Sequence, residues 1–191
     1  MPLIDEEGLT ELGLSQVMAL KQRLANNGEI EPDVVIASSF PRALQTAKVV
    51  NELWSLPLVE SDEVQEWRPG ADTVGLTLDD LMASWNRVRA GDGHDHRLTP
   101  LTETHNEFIN RVDAALTQIA ADHKDQGVAV FTHGGVISRS LVTFLGLPPA
   151  AAINAIHADH TSITEWRRQD HNPHAAWLLV RYNDAAHLTW G

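Results

Sequence analysis

Asp33-Val-Val-Ile-Ala-Ser-Ser-Phe-Pro-Arg42 runs directly into Ala43-Leu-Gln-Thr-Ala-Lys-Val-Val-Asn51, and this stretch decides the fold. The run from Asp33 to Ser38 is β-branched and does not alternate with polar residues, the pattern of a strand covered on both faces. Pro41, with a fixed φ and no N–H to satisfy, suits the first turn of a helix, and a helical pattern follows from Ala43 to Leu53. A second stretch repeats the layout: Gly127-Val-Ala-Val-Phe-Thr132 as a buried strand, His133-Gly-Gly135 as the elbow, then a helix through Leu145.

Outward from these two units the chain alternates helix and strand. A first helix is expected from Thr10, an N-cap residue, to the stop at Asn26-Asn-Gly28, with Leu14, Val17, Met18 and Leu24 on its apolar face. Pro57 to Glu60 reads as a short strand. Glu66 to about Leu101 is rich in Gly, Asp and His and reads as an excursion over the sheet's edge, with a short helix near Leu78 to Val88. Phe108, Ile109, Val112, Leu116 and Ile119 mark an amphipathic helix, and strands are expected at Ser162 to Arg167 and Ala176 to Tyr182. The alternation implies an α/β fold, three layers α/β/α around a mostly parallel sheet, in one domain spanning residues 1–191.

Composition narrows the function. Acidic residues outnumber basic ones 26 to 14, a formal charge of −12, which argues against a nucleic-acid or anionic-membrane partner. There is no cysteine, so disulfides, thiolate metal sites and cysteine nucleophiles are excluded. The first residues have neither the basic segment nor the apolar core of a signal peptide. No apolar run approaches the roughly 20 residues that span a bilayer. A cytoplasmic protein is the expectation.

In open α/β sheets ligands bind beyond the carboxyl ends of the strands. There the first unit places Ser38, Ser39 and Arg42, and the second His133, Gly134 and Gly135. Each elbow opens a helix whose free N–H groups favour an anion. Arg42 offers a fork of donors shaped for phosphate, and His133 donates or carries charge near neutral pH. Together they suggest a phosphate site if the two elbows adjoin, which spacing alone leaves open. Taken singly, an arginine after a strand is ordinarily solvated or salt-bridged, and a histidine before two glycines is ordinarily a turn.

Ser38-Ser-Phe-Pro-Arg-Ala-Leu-Gln-Thr-Ala47 resembles the Ser-Ser, two residues, Arg-Ala, one residue, Gln/Glu-Thr-Ala segment of the histidine phosphatase (phosphoglycerate-mutase-like) superfamily. Phe131-Thr-His-Gly-Gly-Val-Ile137, with Leu145-Gly-Leu-Pro148 after it, is similar to that family's second histidine motif. Gly8-Leu-Thr-Glu-Leu-Gly13 and Thr102-Glu-Thr-His-Asn-Glu-Phe108 resemble two more of its signatures, all in family order. The resemblance implies phosphotransfer through a phosphohistidine, with Arg42 and His133 holding the phosphoryl group. It implies a carboxylate that protonates the leaving oxygen, best matched by Glu66, with Glu63 as runner-up. It implies a small phosphorylated substrate and no cofactor or metal.

One family element has no match: the sequence contains no Arg-His-Gly, the motif that carries the nucleophilic histidine at the end of a central strand. In the family that strand lies beside the one matching Val128 to Thr132. The expectation is therefore a domain whose first central strand and nucleophile lie in sequence upstream of Met1, an enzyme in that full-length form and inactive as this chain stands, with an N-terminally truncated copy as the alternative. The strand near Ser162 to Arg167, or a homodimer, would cover the open edge. The other histidines (His94, His96, His105, His123, His157, His160, His171, His174 and His187) fall in loops or on helix surfaces. His157-x-x-His160 and His171-x-x-His174 have metal-compatible spacing but no third ligand placed by sequence. The tryptophans read as packing, with Trp67 and Trp85 as candidate walls of a substrate pocket. The function expected is a phosphomonoester hydrolase of the histidine phosphatase type. The alternatives are a catalytically dead phosphate- or partner-binding remnant, a phosphoglycerate mutase, or a marginally folded chain with no function of its own.

Overall fold

The computed structural model describes residues 8–68, 70, 72, 77, 79–80, 82–83, 86, 95–148, 156–169 and 176–188. Helix α1 (Glu11–Asn27) starts where Thr10 accepts a hydrogen bond from the Gly13 amide and stops at Gly28, whose left-handed φ of 57° closes the last turn. Its buried residues are Val17, Leu20 and Leu24. Leu14 and Met18, expected on that face, are 48% and 52% exposed. At about 100° per residue, Met18 sits well over 90° around the helix from the middle of that stripe.

Strand β1 (Val34–Ser38), helix α2 (Pro41–Asn51), strand β2 (Leu58–Ser61) and a 3₁₀ turn (Asp62–Val64) follow. Then come α3 (His105–Asp122), β3 (Val128–Phe131), α4 (Gly134–Leu145), β4 (Ile163–Arg168) and β5 (Trp177–Asp184). Thr104 and Glu107 form a reciprocal capping box at the start of α3. The helix expected near Leu78 to Val88 lies largely outside the described residues.

The parallel sheet has the order β2-β1-β3. In β1, four successive residues from Val35 to Ser38 are buried; since neighbours point to opposite faces, both faces of the sheet are covered. Val17, Leu20, Leu24 and Val50 form one apolar cluster, between α1 and α2. Phe108, Ile109, Val112, Leu116, Val136 and Val142 form the other, between α3 and α4. Among the described residues, no helix is long and apolar enough to cross a membrane.

The register settles the question that spacing left open. Ala37 pairs with Phe131 in parallel, so β1 and β3 end side by side and their elbows adjoin. The strand near Ser162 to Arg167 does not cover the outer edge of β3: β4 pairs instead with β5, in a separate antiparallel hairpin. Its side chains explain that placement. Phe144 of α4 packs against Trp166 and Trp177, the Trp166 indole donates to Ser140 Oγ at 3.0 Å, and Arg23 of α1 forks onto Asp184 of β5. These contacts bind the hairpin to helices rather than to the strand edge.

Candidate active site

The first elbow leaves β1 at Ser38, which is fully buried, and starts α2 at Phe40, an extended N-cap with no side-chain cap bond. With Pro41 next, Arg42 stands in the first helical turn. The second elbow leaves β3 at Thr132, whose hydroxyl donates to the Val64 carbonyl at 2.6 Å, and starts α4 at His133, also extended and without a cap bond. Two helix starts therefore face the same space.

Arg42 and His133 are brought together. Arg42 Nη2 lies 2.9 Å from His133 Nδ1, and His133 Nε2 lies 2.8 Å from Ser38 Oγ. A guanidinium can only donate, so Nδ1 is the acceptor and the ring proton sits on Nε2, donating to Ser38. The ring is thus neutral. Burial, with the charges of Arg42 and Arg111 behind it, pushes the His133 pKa down to about 3. Burial also pushes the Arg42 guanidinium below its ordinary value, against the opposing pull of Glu66.

Phe40 holds both groups: its ring meets the imidazole edge-on at 5.4 Å and lies 5.4 Å from the Arg42 guanidinium carbon. Sequence reading passed over Phe40, because its two partners become neighbours only through the β1–β3 register. Gln45, in the same motif, accepts the Leu9 amide at 2.8 Å and ties the approach to α1 onto α2.

Glu66 reaches the same place from the segment after β2. Its Oε2 accepts the Gly135 amide at 2.8 Å and its Oε1 accepts the Trp67 amide at 3.1 Å. A Cβ on Gly135 would stand 2.2 Å from Glu66 Oε1, whereas one on Gly134 would meet nothing within 4 Å. The two glycines therefore differ: Gly135 makes room for the carboxylate, and Gly134 leaves the helix start open. Glu63 does not join the site; its carboxylate is exposed, 3.8 Å from Arg68. Ser39, Asp62 and Gln65 are hydrogen-bonded to one another between the elbow and the Glu66 segment.

The remaining candidates lie elsewhere. His123 bonds Gln126, His157 bonds Asp159 while largely exposed, and His187 bonds Thr161. Among the described residues, no group of three or more His, Asp or Glu could hold a metal ion. Trp67 packs, partly buried, against the α3–α4 cluster, and its indole donates to the Glu103 carbonyl at 2.6 Å. Its suggested companion Trp85, and His94, His171 and His174, lie outside the described residues.

Known proteins share the sequence pattern and the fold. The metal-independent phosphoserine phosphatase of Arabidopsis thaliana is 26% identical over 195 residues, covering 96% of this chain and 74% of that protein. A mutant phosphoserine phosphatase from Entamoeba histolytica, solved in complex with phosphoserine, superposes with a TM-score of 0.75 at 19% identity, over 96% of this chain and 88% of that one. A mycobacterial glucosyl-3-phosphoglycerate phosphatase in complex with inorganic phosphate gives 0.73 at 22% identity, over 96% and 91%. The family model of the histidine phosphatase superfamily (branch 1) matches residues 5–185, and the chain belongs to that family.

Proposed function

We propose that the Arg42–His133 pocket holds the phosphoryl group of a small phosphomonoester and that the chain is a hydrolase of the histidine phosphatase type. The observation that carries this is the hydrogen bond between an arginine and a histidine that compete for positive charge. A phosphoryl dianion entering between them relieves that competition: it accepts from Arg42, frees Nδ1 and favours the imidazolium. Glu66 is the proton donor in this reading. A carboxylate has about four acceptor directions; the Gly135 and Trp67 amides occupy two and fix its position, which leaves a lone pair to carry the proton donated to the departing oxygen.

In the proposed reaction a histidine nitrogen attacks phosphorus, the P–O ester bond breaks, and Glu66 gives its proton to the leaving oxygen. Water, giving a proton to the Glu66 carboxylate, then attacks phosphorus and the P–N bond breaks, which frees phosphate and restores both the histidine and the acid. His133 is engaged at both ring nitrogens, so the attack is not assigned to it, and the sequence has no Arg-His-Gly to name another histidine for that step. The relatives named for phosphoserine and glucosyl-3-phosphoglycerate favour a small phosphorylated metabolite as the substrate. The missing motif favours a second reading, a pocket that binds phosphate and turns nothing over.

Release of p-nitrophenol from its phosphate ester, with and without free imidazole as a substitute nucleophile, separates the two. The hydrolase reading expects turnover that imidazole stimulates and that Arg42→Ala lowers on the order of 100-fold. No turnover under either condition, with phosphate still bound, leaves only the second reading.

A further inference from the structure

Arg111, on α3, uses all five of its N–H donors on one task. Nε and Nη2 fork onto Glu103 at 2.7 Å each. Nη1 donates to the carbonyls of Glu63 at 2.8 Å and Gln65 at 3.0 Å, and Nη2 donates to that of Glu66 at 3.3 Å. Glu103 grips the next residues of the same segment: its Oε2 accepts the Arg68 amide at 3.1 Å, its backbone N–H donates to the Arg68 carbonyl at 2.9 Å, and its carbonyl accepts the Trp67 indole. Both charged side chains are only 8% exposed.

A pair this buried is expensive to desolvate and is a weak device for stability alone. What it does achieve is geometric. Residues 63–68 have no helix or strand ladder beyond the 3₁₀ turn to hold them, and a planar fork fixes several carbonyls at once in a way that a lysine's point charge cannot. The segment so fixed carries Glu66 onto the Gly135 amide.

We propose that Arg111, locked by Glu103, is the positioning residue that holds the Glu66 carboxyl at the Arg42–His133 pocket. The inference rests on the reading of Glu66 as proton donor for its catalytic meaning, but its placement of Glu66 is testable without turnover.

The Gly135 amide proton reports the placement directly, because a hydrogen bond to a carboxylate moves its NMR resonance downfield. In Glu66→Gln that resonance moves upfield. The same upfield move is expected in Arg111→Met and Glu103→Gln, and a smaller one in Arg111→Lys, with the Val112 and Val136 methyl resonances of the α3–α4 core unchanged. A wild-type Gly135 resonance in a folded Arg111→Met or Glu103→Gln protein overturns the proposal.

Kinetics add a second readout. Loss of a positioned proton donor costs an alkyl phosphate, with its poor leaving group, about 100-fold or more in kcat. It costs a dinitrophenyl phosphate little, and KM is unchanged for both. Equal losses on the two esters in Arg111→Met overturn the positioning role. If Glu66→Gln itself shows no dependence on the leaving group, the proton-donor reading falls instead, and the Gly135 resonance still decides whether Arg111 places Glu66.

Discussion

Gly135 shows how much one residue carries. Its missing side chain is occupied by Glu66 Oε1, 2.2 Å from where a Cβ would be. The obstacle is the far end of a flexible side chain, so Gly135→Ala is expected to cost stability less than about 1 kcal/mol while displacing Glu66 and lowering turnover as Glu66→Gln does. Urea melts beside rate measurements check both halves. His133 gives a prediction in pH. Its folded pKa of about 3 lies below the 6.5 of the unfolded chain, so between those values the unfolded state binds more protons and stability falls as pH falls. The contribution is complete above about pH 6.5 and is lost toward pH 3. Wild type should therefore lose more of its urea midpoint between pH 7 and pH 4 than His133→Gln, which does not titrate. Arg42 and His133 were legible in the sequence because each follows a strand at an elbow. Phe40 and Arg111 were not, because what they do depends on partners up to 93 residues away, at His133, or on backbone carbonyls 45 to 48 residues away, from Glu66 to Glu63.

At the scale of elements, hydrophobic pattern located the helices and strands but not their partners. The caps at Thr10 and Gly28 were carried by residue type alone. The position of β4 was not, since its β-branched start suits a sheet edge and its pairing with β5 is decided by side chains elsewhere. Arg23, Glu29, Asp184, Arg181 and Glu165 form one ion-paired chain from α1 across β5 to β4. Arg23, and Arg181 beside it, hold the Glu29 carboxyl down to about 2, and Arg23 holds the Asp184 carboxyl well below its usual range. Both folded values are depressed, so this contribution is present above about pH 4.5 and is lost as pH falls toward 2. Arg23→Met is expected to destabilise by roughly 1 kcal/mol, since the groups are partly solvated. Amide exchange should quicken in β4 and β5 more than in β1, and equal quickening in both would contradict the assignment.

For the whole molecule, a formal charge of −12 and the proposed anion site are compatible, because the site proposed is local: two helix starts, one arginine and one histidine at the adjoining ends of β1 and β3. The sequence order of the motifs revealed the family; the parallel pairing of Ala37 with Phe131 brought separate motifs to one place. In the proposed reaction Arg42 and His133 receive a phosphoryl group. Thermal melting with and without orthovanadate, a phosphoryl analogue, on wild type and His133→Ala tests it most directly. At a hundredfold excess over its dissociation constant the ligand adds about 2.7 kcal/mol, a shift of several degrees. That shift is expected in wild type, and its loss in His133→Ala. No shift in wild type, or an equal shift in both proteins, would contradict it.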